Sequence, residues 1–344
     1  MSQARRDERT TQRWRTVLPF ALALLLAVVL VVVTTTQRRA SSAAEDVLGD
    51  KQLKIMAPAA PGGGWDQTSR EMQASLQGLI GRTEVYNVDG AGGTIGLSQF
   101  RQLRGQPNQI MVTGLVMVGA IAANRSAAKL SDVVPLARLI TDNQVIVVPA
   151  KSEIKDIGDL AAAMRNNLKS VSVAGGSAGG TEQILAGLVA QALGQDVGDV
   201  NYIAHSGGGE AVATLLSGSA TAGISGISEL KPQIDAGVLR PLAVSSAERS
   251  SLLPDTPTLE QSGIDVVLTN WRGVMAPKGI TSAQRKALQD LLVRMTKTKR
   301  WRAALKREGW TDVTLAGPGF NRFVASETER VDKVIAELGL GKPS

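Results

Sequence analysis

The 344-residue chain has no cysteine and a single histidine, His205. The first absence excludes a disulfide framework, a thiolate metal site and a lipid anchor on cysteine, and one imidazole is too little for a histidine-built transition-metal site. An all-oxygen Ca²⁺ or Mg²⁺ site remains compatible with those counts, but no EF-hand loop occurs. Aromatic residues are few: five Trp, two Tyr and four Phe. No cluster of Lys and Arg is interleaved with them in the way a nucleic-acid groove requires. No Walker sequence is present either, so the chain is not expected to draw energy from a nucleoside triphosphate. The formal charge of +7 first suggests a basic binding surface, yet Met1 to Ala44 holds seven Arg against Asp7 and Glu8, leaving only +2 for the rest. A nucleic-acid partner, a metal and a cofactor are all expected to be absent.

Residues 1–44 read as an export signal or an N-terminal membrane anchor. Arg5, Arg6, Arg9, Arg13 and Arg15 precede an uncharged apolar run from Val17 to Val33, and Arg38 and Arg39 follow it. The 17-residue run exceeds an ordinary signal-peptide core of about 7–15 residues and falls short of a spanning helix of about 20. Small residues at Ala40 to Ala44 offer a peptidase site, whereas the arginines just before it favour retention, so cleavage and anchoring through 17–33 both stand. The arginines ahead of the run favour a cytoplasmic N-terminus and place everything after residue 45 outside the membrane, in the periplasm or at the cell surface.

Beyond the leader, short apolar runs alternate with amphipathic stretches, the pattern of an α/β protein with largely parallel strands. Strands are predicted at 53–57, 84–88, 109–113, 133–140, 145–148, 170–174, 200–203, 220–224, 239–244 and 266–272. Helices are predicted at 66–79, 94–103, 157–166, 181–192, 208–217, 282–298 and 318–338. Two extended segments around Thr141-Asp142-Asn143, and a return at 266–272, suggest that the chain crosses twice between lobes. The expected division is lobe 1 from 45–143 and 273–344, with lobe 2 inserted as 144–272 and the ligand cleft between them.

Three turns dense in glycine stand where strands hand over to helices: Ala60-Pro61-Gly62-Gly63-Gly64-Trp65-Asp66, Gly90-Ala91-Gly92-Gly93-Thr94 and Gly175-Gly176-Ser177-Ala178-Gly179-Gly180-Thr181. A fourth is Ser206-Gly207-Gly208-Gly209. Such turns let a ligand approach the main chain, and the first N–H groups of the following helix point outward with the positive end of the dipole behind them. Several turns of one design point to a shared anionic ligand.

Those motifs carry a resemblance. The stretch from Ala57 to Arg70 resembles the opening signature of the extracytoplasmic substrate-binding receptors of tripartite tricarboxylate transporters, and Val85 to Gly96 resembles their second glycine motif. Leu242 to Ser246 with Arg249, Leu253 to Gly263, and Trp271 to Pro277 agree in order. The resemblance implies a two-lobed periplasmic-binding-protein fold of the type II kind, capture of a small di- or tricarboxylate with a citrate-like acid favoured, delivery to the membrane permease subunits, and a monomer without catalysis. It places Ala60, Pro61, Gly62, Gly63, Gly64, Trp65, Asp66, Gly92, Gly93 and Thr94 on the first-lobe side of the site, and Ser177, Ala178, Gly179, Thr181 and Ser206 on the second. Two departures accompany it: Glu182-Gln183 stands where many relatives carry a histidine, and Leu115-Val116-Met117-Val118 is apolar where relatives offer hydroxyls.

Individual residues also have plainer readings. Asp66 in the first turn of a helix, with Arg70 four residues on, suits structural support, and Arg272 suits a salt bridge between lobes or at the surface. Gly175-Gly176-Ser177-Ala178-Gly179 fits the G-x-S-x-G elbow of α/β hydrolases, which leaves an exported hydrolase using Ser177, or a carboxylate-sensing module, as the alternative. The hydrolase needs a later histidine, and His205 follows Ser177 too closely for the usual route. Gly90-Ala91-Gly92 with Gly96 misses the dinucleotide spacing by one residue.

Overall fold

The computed structural model describes residues 47–48, 51–205, 208–337 and 339–340; the leader with its apolar run and the turn at Ser206 and Gly207 lie outside them. In the first half, β1 (Leu53–Ala57), α1 (Gly64–Leu76), β2 (Thr83–Asn87), α2 (Thr94–Phe100), β3 (Gln109–Gly114) and α3 (Leu115–Ala123) lead to β4 (Val133–Pro149). There follow α4 (Ile157–Asn167), β5 (Ser172–Gly175), α5 (Thr181–Ala192), β6 (Asn201–Ala204), α6 (Gly208–Leu216), β7 (Ala222–Gly226), α7 (Ile227–Asp235) and β8 (Leu239–Val244). The chain closes with β9 (Thr269–Pro277), α8 (Ser282–Thr296), α9 (Lys299–Glu308), β10 (Thr311–Ala316) and α10 (Pro318–Glu337).

The strands join in the order β2-β1-β3-β9-β4-β7-β5-β6, with β8 and β10 also paired to β4. The strands β2, β1 and β3 are mutually parallel, as are β7, β5 and β6. Each group delivers its following helices to one end; β3 is linked to β7 through three antiparallel pairings, so the groups run in opposite directions and the turns after β1, β2 and β3 face those after β5 and β7. Between the two groups β4 changes partners: Val133 to Asn143 pair with β9 and Thr141 to Ala137 with β10, whereas Gln144 to Pro149 pair with β7 and β8.

The 17-residue β4 corrects the two separate segments predicted around Thr141-Asp142-Asn143. Those polar residues read as a turn, but Thr141 is held between Thr311 and Trp271, and Asp142 pairs with Asn270, so ladder bonds keep the backbone extended. The strand predicted at 266–272 lies further on. Leu268 donates its N–H to Ser245, outside the ladder, and pairing with β4 begins at Thr269 and runs to Pro277. The predicted helix 282–298 ends at Thr296, because Thr298 caps the start of α9 by accepting from Trp301 N at 3.2 Å. No prediction covered α3, α7, α9 or β10.

Two apolar clusters pack against the sheet, a large one that reaches from β1 and β3 across to β5 and α5 and a smaller one that gathers Val145, Val147, Leu215 and Leu230 beside the second half of β4; β1 and β3 are buried almost throughout. Edge-on rings of Phe320 and Phe323 close over Trp271 at 6.1 and 5.2 Å between centroids, with the Trp271 Nε1 donating to Glu327 Oε2 at 2.9 Å. Such edge-to-face pairs add roughly 0.5–1.5 kcal/mol each beyond area burial. This aromatic anchor fixes β9, which carries Arg272 into the site on the next residue.

Candidate functional site

The turn before α1 is braced from behind. Asp66 Oδ2 accepts from Gly62 N and Arg70 Nε, both at 2.9 Å, while Asn87 Nδ2 reaches Asp66 Oδ1 at 2.9 Å and Ala59 O at 3.0 Å. Burial pushes Asp66 up, yet these bonds outweigh it and hold the carboxyl below its ordinary value. The turn is thereby pinned with Gly64 and Trp65 lining the cleft at the start of α1, where the first N–H groups of a helix have no intrahelical acceptor. Gly92 (φ +60°) and Gly93 (φ +84°) adopt the left-handed backbone that glycine tolerates, and side chains there would strike Ala120 and the Trp65 ring respectively.

Across the cleft, Gly176 and Ser177 from the turn after β5, Glu182 from α5 and Glu229 from α7 complete the wall, with Asn270 and Arg272 from β9 at the base. The cavity, open on one side to solvent, has a volume of about 70 Å³. Its only lining cation, among the described residues, is Arg272, and that guanidinium is already engaged. Its Nη1 donates to Gly64 O at 2.9 Å and Thr68 Oγ1 at 3.0 Å, and Nη2 donates to Asp142 Oδ2 at 2.5 Å. Glu229 Oε1 stands 3.9 Å from the same Nη2.

Three carboxyls thus share the field of one guanidinium, and all are shifted. Burial pushes Asp142 up to about 6 against the pull of Arg272. Glu182 rises to about 7, mainly through burial, with the neighbouring Glu229 and Asp142 adding to it and Arg272 opposing. Burial likewise takes Glu229 to about 7 against Arg272. Tyr202, whose hydroxyl donates to Gly176 O at 2.8 Å, is raised by burial and then by Glu182. The cleft therefore offers outward main-chain donors on one side and carboxyls that hold protons near neutrality on the other.

Of the residues expected at the site, Gly63, Gly64, Trp65, Gly92, Gly93 and Ser177 line this cleft. Ala60, Pro61, Gly62, Asp66, Thr94, Ala178, Gly179 and Thr181 do not. Ala60 closes the turn by accepting from Gly63 N, Asp66 is the brace, and Thr94 Oγ1 is turned back onto Ala91 O at 2.9 Å. Gly179 (φ +73°) donates to Gln183 Oε1 at 2.7 Å, and Thr181 is fully buried with its hydroxyl unpaired. Ser206 lies outside the described residues. Sequence reasoning missed Glu229 and Asn270 and treated Glu182 and Arg272 as bystanders. The one available signal was the Glu182-Gln183 departure, which the geometry resolves into a cleft carboxyl and a brace for Gly179. Of the two settings read for the Arg272 salt bridge, at the surface or between lobes, the surface one fails: both partners are 1% exposed, and the bridge ties β9 to β4. Ser177 has no hydrogen bond to His205 among the described residues; the His205 Nδ1 faces Glu210 at 3.9 Å instead. Among those residues there is also no cluster able to hold a metal and no helix long and apolar enough to cross a membrane.

Residues 69–340 match the family described as tripartite tricarboxylate transporter family receptor. The chain is 27% identical over 304 residues to the protein BugT of Bordetella pertussis, covering 86% of this chain and 91% of that one. It is similar in structure to the periplasmic binding protein BugD, with a TM-score of 0.77 at 22% identity over 86% of this chain and 99% of that one. It is also similar to MatC of Rhodopseudomonas palustris with bound malate, with a TM-score of 0.73 at 22% identity over 83% and 99%. The fold is that of the two-lobed periplasmic binding proteins.

Proposed function

Because the chain belongs to the tripartite tricarboxylate transporter receptor family, we propose that it is an exported receptor that captures a small carboxylate in the cleft and delivers it, unchanged, to a membrane permease. The observation that carries this reading is the convergence on one small cavity of the start of α1, the Gly92-Gly93 turn and the Ser177 turn, contributed by strands from both halves of the sheet. Neutral main-chain and hydroxyl donors hold an anion firmly yet release it, which suits a carrier. The malate bound by the similar MatC protein is consistent with a ligand of this class.

The number of carboxyl groups is a finer matter. Citrate-like acids were expected on the resemblance, but Arg272 is committed to Asp142 and two further carboxyls line the wall, so a trianion is the ligand this cleft favours least. The reading rests on a short acid with one carboxylate at the start of α1. Catalysis has no support from the geometry, since among the described residues no general base stands within hydrogen-bond reach of Ser177. Calorimetry of the purified chain with malate, succinate, adipate and citrate, followed by recovery of the acid, tests this. Binding with full recovery is expected. Loss of the acid on incubation, or no heat from any member of a broad carboxylate panel, overturns the receptor reading.

A further inference from the structure

We propose that a second anion site lies outside the cleft, in the notch where the chain crosses between the two strand groups, and that Arg249, Arg302 and Lys306 hold a compact polyanion of the phosphate class there.

The notch has a volume of about 580 Å³ and shares no lining residue with the cleft. Its walls come from both sides of the crossing: Arg302 and Lys306 from α9, and Arg249 with Ser250 and Ser251 from the loop after β8. Thr141 of β4 and Thr269 of β9 line it as well. Against the three cations the lining holds one acid, Glu248.

The placement of charge carries the argument. On four other helices a basic residue pairs with an acid four positions away: Arg70 with Asp66 on α1, Lys231 with Asp235 on α7, Lys286 with Asp290 on α8 and Lys333 with Glu329 on α10. On α9, Arg302 and Lys306 stand at that spacing with the same charge, an arrangement that destabilises a helix unless something neutralises it. Neither side chain has a hydrogen-bond or ion-pair partner among the described residues. A helix end favours cations in its last turn, which accounts for Lys306 but not for Arg302 or Arg249.

Arg249 comes to the notch from the other side. Its Nε donates to Gln261 Oε1 at 2.8 Å and its Nη1 to Pro254 O at 3.1 Å. Both acceptors are neutral, so the guanidinium is fixed in place with its charge unopposed, and Nη2 has no acceptor among the described residues. Trp310, 5% exposed, lines the same notch and leaves its buried Nε1 without an acceptor. A buried donor left unpaired is costly. An anion supplies acceptor oxygens and negative charge together, the two things these walls lack. Guanidinium forks match phosphate oxygens, a lysine adds a point charge, and the hydroxyls of Thr141 and Thr269 offer neutral donors. Three cations on one notch favour an anion of two or more charges over a monovalent one. Held from both sides, it braces the crossing, and the site stands whether or not the cleft binds a carboxylate.

Calorimetry and thermal unfolding of the purified full chain with pyrophosphate, against sodium chloride of the same ionic strength, test the inference. Saturable binding and a raised melting temperature are expected. Arg302→Glu and Lys306→Glu should each weaken pyrophosphate binding roughly ten- to a hundredfold, as for the loss of one hydrogen bond between charged groups. Both side chains are exposed, so the variants should unfold as cooperatively as the parent. Arg249→Gln tests the opposite wall and should act in the same direction. Ser177→Ala, in the cleft, should leave pyrophosphate affinity unchanged. No response beyond the salt control, or binding that survives both charge reversals, overturns the inference. Loss of pyrophosphate binding in Ser177→Ala would place the anion in the cleft and overturn it too. Binding to phosphatidylglycerol vesicles without binding to free pyrophosphate would assign the cations to a membrane surface and equally overturn the site.

Discussion

At the scale of single residues, the decisive feature is how Arg272 is used. A guanidinium on a cleft floor ordinarily suggests an anion clamp, but here its bonds run to Gly64, Thr68 and Asp142, and it serves as the joint between α1, β4 and β9. Arg272→Met should therefore act mainly on stability, by about 3–5 kcal/mol in denaturant unfolding, because it strands Asp142 as an unpaired buried acid. Arg272→Lys should not restore it, since one ammonium cannot span three acceptors in that fork geometry. A loss below 1 kcal/mol would mean that Asp142 finds another donor. Glu182 makes a different prediction. Its folded value near 7 lies above the ordinary carboxylate value of 4.5, so the folded state binds the proton more tightly, and its stabilising contribution is lost as pH rises from about 4.5 through about 7. Glu182→Gln keeps the shape without the titration, so its melting temperature should gain on the parent's progressively across that window; a constant gap would place the proton elsewhere. Ser177→Ala, removing a cleft hydroxyl that has no hydrogen-bond acceptor among the described residues, should weaken ligand binding roughly ten- to a hundredfold and leave the melting temperature of the empty protein unchanged.

At the scale of elements, α3 links the two walls. Its Gly119 lies so close to Gly179 of the opposite turn that any side chain there would overlap the Gly179 carbonyl oxygen. Gly119→Val should hold the walls apart. The expected result is ligand binding weakened at least tenfold, with cooperative unfolding retained, and unchanged affinity would show that the contact plays no part in capture. This helix also marks what was legible in the sequence. The glycine turns and the alternating pattern disclosed β1, β3, β8, α1 and α5 and hence three sides of the cleft, because those elements bury one face and punctuate their ends. Residues Leu115 to Ala123 are apolar all round, buried between α10 and α5, and so have no amphipathic period to read. The helix α7 carries Pro232 in its interior, which reads as a break, and Glu229 was lost with it. The strand β10 is half exposed and polar enough to pass for a loop. Which acidic side chains meet at the cleft depends on non-local packing, and no spacing in the chain encodes it.

At the scale of the whole molecule, a receptor of the proposed kind must also report that its cleft is full. The chain crosses between the two strand groups at Asn143 to Gln144 and again at Leu268 to Thr269. Ser245 fastens both crossings: its backbone exchanges bonds with Gln144 O and Leu268 N, while its buried hydroxyl accepts from Gln144 N at 3.1 Å and donates to Leu268 O at 2.6 Å. A hinge built at that clasp would let the Gly63 to Trp65 wall and the Ser177 to Glu182 wall separate. A ligand touching both walls stabilises the closed arrangement by its differential affinity and shifts the population toward it. In the proposed receptor role, closure would give a permease a shape by which to tell a loaded chain from an empty one. The empty chain is expected to have the larger radius of gyration in solution scattering, shrinking at saturating ligand, with slowed hydrogen exchange at Gln144 and Leu268. Removing the clasp with Ser245→Ala should raise exchange at both amides together, because one hydroxyl serves both crossings. A scattering profile and exchange rates that do not respond to ligand would leave a rigid cleft, and delivery as proposed would then require the partner to read the ligand itself.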